Sequence, residues 1–206
     1  MQIKHLLTIS ITFFLISCGS LIPSNHQKTQ ISEWREGAYQ LDPDHTSLIF
    51  SLNHLGFSDY YGRFNTIEAS LDFDPQKPEA TKLFAKVDTQ SLDVNNESFE
   101  TELGGSSWFD SKSYPFAYLE STEIIPVSDT EAEMRGSLTI KGITAPISMV
   151  IKFNGGAVNF LTGKYTLGFF ATGTIKRSNY NIADLVPAIG DEVTLQISAE
   201  FLRDNQ

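Results

Sequence analysis

Cysteine is nearly absent from this 206-residue chain: Cys18 stands alone, so no disulfide can form within it and stability must come from a buried core. Positive charge is also scarce. Fifteen Lys and Arg stand against 25 Asp and Glu, a formal net charge of -10. A surface built to neutralise phosphates is thereby excluded, and nucleic acid with it. No apolar run is long enough to cross a bilayer as a helix; Leu6 to Ile16 is typical instead of a signal-peptide core. Catalytic signatures are missing as well. There is no G-x-S-x-G, no paired nucleophile and base, and Asp44 beside His45 reads as a turn before a strand. What is present is apolar material, 41% of the chain with 15 Phe, enough for the interior of one domain.

The N-terminus carries Lys4, then the apolar run, then Leu15-Ile16-Ser17-Cys18 followed by Gly19. This resembles a bacterial lipobox, in which the signal is removed and the cysteine becomes the lipidated first residue. The expected organisation is a lipoprotein signal peptide at 1–17, a lipidated N-terminus and polar tether at 18–37, one domain at 38–203 and a tail at 204–206. Cys18 is the lipidation site and the membrane a partner through it. The implied location is the periplasm, and Gly19 rather than Asp after the cysteine fits outer-membrane sorting.

From Ala38 onward apolar residues recur with period two. Ile67, Ala69, Leu71 and Phe73 alternate with Glu68, Ser70 and Asp72, and Val193, Leu195, Ile197, Ala199 and Phe201 alternate likewise near the C-terminus. Similar stretches lie near 83–89, 116–124, 133–140, 146–153 and 164–176. Turn signals separate them at Asp74–Pro78, at Lys141–Pro146 (KGITAP) and at Asn154–Gly156 (NGG). One short helix is expected at about 96–103. Many antiparallel strands with one apolar face each form a sandwich or a barrel. On the strand 46–54, Leu48, Phe50, Leu52 and His54 share one face while His45 points the other way. Nine residues hold the two histidines about 30 Å apart, so no shared metal is expected. His54 ends an inward row, either held by backbone partners or reaching a ligand's polar end.

Asp42-x-x-His45-Thr46, Phe50, His54-Leu55-Gly56 and Gly62-x-Phe64 resemble the opening signature of the YceI family of bacterial periplasmic proteins. Ser91-Leu92-Asp93, Trp108-Phe109-Asp110, Tyr114-Pro115, Gly136 to Gly142, Pro146, Lys176-Arg177 and Asp191-Glu192-Val193 follow in order, so the resemblance covers about 38–203. It implies an all-β fold: an extended eight-stranded antiparallel lipocalin-like barrel with a short helical connection and a long apolar tunnel. Family members carry or sequester polyisoprenoid-tailed molecules, and some hold fatty-acid-like amphiphiles. A protein partner is left open, a homodimer among the options, and no cofactor is expected beyond the bound lipid.

The candidate ligand-binding residues are the inward Phe50, Leu52, His54, Ile67, Leu71, Phe73, Leu195 and Ile197, the aromatic pair Trp108 and Phe109, which could instead cover one barrel end, and Arg177. The chain also departs from the family. Phe99 to Gly104 replaces a basic, histidine-containing stretch, and Arg177-Ser178-Asn179-Tyr180-Asn181 replaces an R-D-F-G-like one. A desolvated pyrophosphate needs paired cations at the mouth, and Arg63 and Arg177 are the only candidates for that place. The expected head group is therefore neutral or weakly polar, such as a quinone, phenol or prenyl alcohol. Two other readings stand beside the carrier: a barrel filled by its own side chains and used for interactions, and, further off, an enzyme on a hydrophobic substrate.

Overall fold

The computed structural model describes residues 34–204; the readings for 1–33, lipidation of Cys18 included, fall outside the described residues. Eleven strands follow one another: β1 (Gly37–Leu41), β2 (Ser47–His54), β3 (Ser58–Phe64), β4 (Ile67–Phe73), β5 (Lys82–Asp88), β6 (Leu92–Asp93), β7 (Phe116–Pro126), β8 (Glu131–Ile140), β9 (Ile143–Val158), β10 (Tyr165–Lys176) and β11 (Glu192–Arg203). All pairings are antiparallel.

Three of the barrel's eight staves are broken strands. β1 and β2 run along successive parts of β11, with Leu41 opposite Phe201 and Ser47 opposite Ser198. β4 and β3 pair in turn with β1 and β2, and β5 and β6 pair with β4 and β3. Five unbroken strands, β7 to β11, complete the ring, and β1 on β11 closes it. The result is the expected eight-stranded antiparallel barrel.

Alternation places the inward side chains, and two bulges adjust it. In β7, Ser121 lies opposite Gly136 and Glu123 opposite Arg135, so Thr122 is an extra residue. Ala117 and Leu119 face inward before it and Ile124 after it, a one-residue change of parity that a bulge produces. The second bulge corrects the reading of NGG as a turn. β9 runs through it, with Phe153 opposite Phe169 and Gly155 opposite Gly168, leaving Asn154 unpaired. Gly155 takes φ 133°, open to glycine, so the motif bends a strand instead of ending it. The KGITAP turn is likewise shorter than expected. Lys141 and Gly142, with φ 52° and 73°, form a two-residue hairpin turn, and Ile143 to Pro146 belong to β9.

The short helix α1 (Glu97–Leu103) starts where Asn96 accepts the Phe99 N–H at 3.2 Å, and the Glu100 carboxylate accepts from the Val94 and Asn96 N–H groups. It belongs to the segment 94–115, which packs on the end of the barrel formed by the β2–β3 and β8–β9 turns and the connection 177–191. The opposite end gathers the incoming chain at Trp34, the connection 74–81, the turn 127–130 and the hairpin 159–164. This second end is called the rim below.

Candidate functional site

The inside of the barrel is filled unevenly. Away from the rim, Trp108 and Phe109 lie between two packed clusters, one containing Tyr180, Ile182, Met134 and Ile140, the other Phe50, Leu92, Val94, Leu103 and Val193. Lys141 Nζ holds this segment by donating to Ser106 O at 2.7 Å and Asn181 O at 3.2 Å. Toward the rim a cavity of about 240 Å³ stays open. Its wall includes Leu195, Ile197, Ala199 and Phe201 of β11 but not Val193. Six residues of strand at about 3.3 Å each make it roughly 20 Å long, shorter than the full-length tunnel of about 30 Å that strand length alone suggests. At 240 Å³ it is also narrower than the roughly 300–1,000 Å³ of a drug-sized pocket. Such a shape suits one slender chain.

The wall is overwhelmingly apolar. Ile67, Leu71, Phe73, Leu195 and Ile197 of the candidate residues line it, together with Leu48, Leu83, Met134, Met149 and Phe169. Small residues, Ala69, Ala85, Ala132 and Ala171, keep it open. On one side of the rim Trp34 caps an aromatic stack, its ring 3.8 Å from that of Phe153 and 6.0 Å from that of Phe73. On the other side the wall ends in Pro78, Thr81 and the turn Ser128 to Glu131. Among the described residues the lining contains no Lys, Arg or His, and its two charged members, Asp129 and Glu131, are carboxylates. Outside the barrel a surface groove touches the same place: Leu71, Thr81 and Leu83 line both it and the cavity.

The other candidates lie elsewhere. Phe50 and Leu52 belong to the cluster under α1. His54 bridges to Ile189 and lies near Tyr60, its ring centroid 6.2 Å away. Arg177 is buried at the closed end, where Nε donates to Gly190 O at 2.9 Å, Nη1 to Ile182 O at 2.8 Å and Nη2 to Ile189 O at 2.9 Å. Its guanidinium also sits over the Trp108 ring at 5.6 Å. Burial lowers the Arg177 pKa against the pull of Asp191 and Asp184. Burial would raise that of Asp191, but hydrogen bonds from Ser178 N and Oγ and the charge of Arg177 hold it low. This network ties β10 to β11 by their connection, and Arg63 is exposed on β3.

His45 also has a local role. Its Nδ1 lies 2.9 Å from Asp42 Oδ2, and this hydrogen bond raises the imidazole pKa. Among the described residues, Asp42, His45 and Glu200 bring donor atoms within 4.8 Å of one another, a spacing that could hold a cation. Asp42 is already engaged, however: Oδ1 accepts from Asp44 N and its backbone O accepts from Thr46 Oγ1. The arrangement caps the break between β1 and β2.

Residues 39–201 match the YceI-like domain family. A UPF0312 protein of Yersinia pestis is 33% identical over 200 residues, covering 96% of each chain. One of Pseudomonas paraeruginosa is 34% identical over 168 residues, covering 80% of this chain and 86% of its own. Among solved structures, a YceI protein of Campylobacter jejuni superposes with TM-score 0.67 at 27% identity over 74% of this chain and 90% of its own. Burkholderia cenocepacia BcnA gives 0.71 at 23% identity, covering 78% and 98%. A polyisoprenoid-binding domain from Saccharophagus degradans gives 0.62 at 12% identity, covering 82% and 100%. The ordered motifs, the closed eight-stranded ring and these matches agree: the chain belongs to the YceI family.

Proposed function

We propose that the protein binds one neutral, chain-like lipid in its barrel, acting as a membrane-anchored carrier or reservoir for a polyisoprenoid-tailed molecule such as a quinone or prenyl alcohol. The observation that carries this reading is the rimward cavity, predominantly apolar and, among the described residues, free of cationic lining. Burying an apolar chain there contributes up to about 0.8 kcal/mol per methylene-sized unit before ordering costs. The Saccharophagus degradans domain, described as polyisoprenoid-binding, shares the fold. Family and neighbours point to binding rather than catalysis.

Attachment through Cys18 in the periplasm suits this role. Only a short segment separates Cys18 from Trp34, where the chain reaches the rim. Apolar tips stand exposed at that same end, Val127 at 69% and Leu161 at 79%, with Phe160 beside them. A rim turned toward the bilayer would place the cavity against its lipid source.

The test is to purify the full chain from a bacterial host, extract it with organic solvent and identify the extract by mass spectrometry. One prenyl or acyl lipid per protein is the expected result. The packed closed end favours a second reading, a barrel filled by its own side chains and used for interactions. An empty protein that takes up no added quinone or prenol would select it.

A further inference from the structure

Among the described residues, one buried side-chain oxygen or nitrogen has no hydrogen-bond partner: Thr81 Oγ1. A buried hydroxyl without a partner is unfavourable, and in a native protein it calls for an explanation, a bound group that completes the bond being one. Thr81 follows the 3-10 turn Pro78–Ala80 and stands just before β5. The residue lines the cavity at the rim, beside Pro78 and Leu83, and also the outer groove; Oγ1 itself is turned away from both openings, so a ligand reaches it when the side chain rotates. Two neighbouring lining hydroxyls have partners: Thr46 Oγ1 donates to Asp42 O at 2.7 Å, and Ser128 Oγ accepts from Thr130 N at 3.3 Å. The Thr81 backbone N–H is satisfied too, by Pro78 O at 3.1 Å.

We propose that Thr81 Oγ1 is the head-group anchor of the bound lipid. This rests on the cavity being a lipid site and adds its chemistry and direction. A hydroxyl both donates and accepts, so it pairs with an alcohol or a carbonyl. Asp129 and Glu131 line the same rim and, among the described residues, no Lys or Arg lines the cavity, so a phosphate or carboxylate head is disfavoured there. The lipid enters tail first. Its neutral polar end stops at Thr81 while its chain runs down past Leu83 and Ile147 to Leu138 and Leu195.

The test compares farnesol with farnesene, the hydrocarbon lacking its hydroxyl, for binding to the purified, delipidated full chain. Thr81→Val removes the hydroxyl while keeping the branched shape, and Thr81→Ser keeps the hydroxyl. Wild type is expected to prefer farnesol by about tenfold, since a hydrogen-bonding site rejects a ligand that leaves it unpaired. Thr81→Val should lose that preference through weaker farnesol binding with farnesene unchanged, and Thr81→Ser should retain it. The ligand-free Val variant should melt no lower than wild type. Farnesyl diphosphate should bind wild type less well than farnesol. A Val variant that binds both ligands and still prefers the alcohol would overturn the anchor alone. Wild type that binds neither overturns the lipid site and the anchor together.

Discussion

Replacing Arg177 by Met decides whether this buried cation belongs to the fold or to the ligand. Methionine preserves most of the apolar stem against Trp108 but withdraws three donors. The carbonyls of Gly190, Ile182 and Ile189 then lose partners now at 2.8–2.9 Å. A hydrogen bond to a charged group contributes about 1.5–3 kcal/mol. The bond to Ile182 O is buried, whereas those to Gly190 O and Ile189 O are partly buried, where water can replace part of the loss. We therefore expect a destabilisation of about 3–5 kcal/mol rather than the full sum. For a chain of this size each kcal/mol lowers Tm by about 2–4 °C, so the melting temperature should fall by roughly 6–20 °C. Arg177→Lys should recover only a minor part, because an ammonium cannot reproduce the planar fork. Urea unfolding measures the difference. Lipid affinity of the folded fraction should stay within about twofold, a change of under 1 kcal/mol. A Met variant that melts with wild type but loses lipid would refute the reasoning and make Arg177 a ligand contact.

Filling the cavity from its wall with Ala85→Phe should lower the lipid recovered per protein at least tenfold, with Tm unchanged or raised, because the new ring occupies open space. Recovery of lipid at the wild-type level would show that the chain sits elsewhere. Gly136→Ala should cost about 1–3 kcal/mol in urea unfolding, since the added Cβ would lie 2.5 Å from Glu120 O in the facing strand. Because its hydrogen bond to Asp42 raises the His45 pKa, that residue stabilises the fold below its ordinary pKa of about 6.5, and the effect is lost as pH rises through the folded value. His45→Gln should therefore differ more from wild type at about pH 5.5 than at about pH 8.5, and the reverse order would contradict the assignment. Replacing Phe160 and Leu161 with Asp should slow lipid uptake from vesicles while leaving uptake from detergent intact. Equal slowing in both would argue against a rim that meets the bilayer.

Much of the barrel was legible because period-two alternation is a direct record of a wall with one wet and one dry side. β4 and β11 read off residue by residue, and the short helix expected at about 96–103 meets α1 at Glu97–Leu103. Glycine misled where it bends rather than turns: at Gly155 the chain continues across β10, and sequence cannot distinguish a bulge from a hairpin when either needs an unusual φ. The inward faces of Ile67, Leu71, Phe73, Leu195 and Ile197 were predictable, but not which inward residues meet open space. That depends on how far Trp108, Phe109, Tyr180 and Ile182 penetrate from the far end, a sum of volumes contributed by distant parts of the chain. Thr81 gave no signal at all. An unpaired hydroxyl is defined by its surroundings, and nothing around it in the sequence distinguishes it from any threonine before a strand.

The ring of staves is not equally strong all round. β10 and β11 are joined through eleven residue pairs, β5 and β7 through only five, from Asp88–Phe116 to Phe84–Glu120. Beyond Phe84 the two strands part, Leu83 N reaching only the Ser121 side chain at 2.9 Å, and there the inner cavity and the outer groove share their wall. Each backbone bond that must open adds to the barrier for a bulky end to pass sideways. On the proposed function, this short seam beside the rim is where the wall would part most readily around the polar end of a lipid entering tail first, so one pair more or fewer there would change how fast the contents exchange.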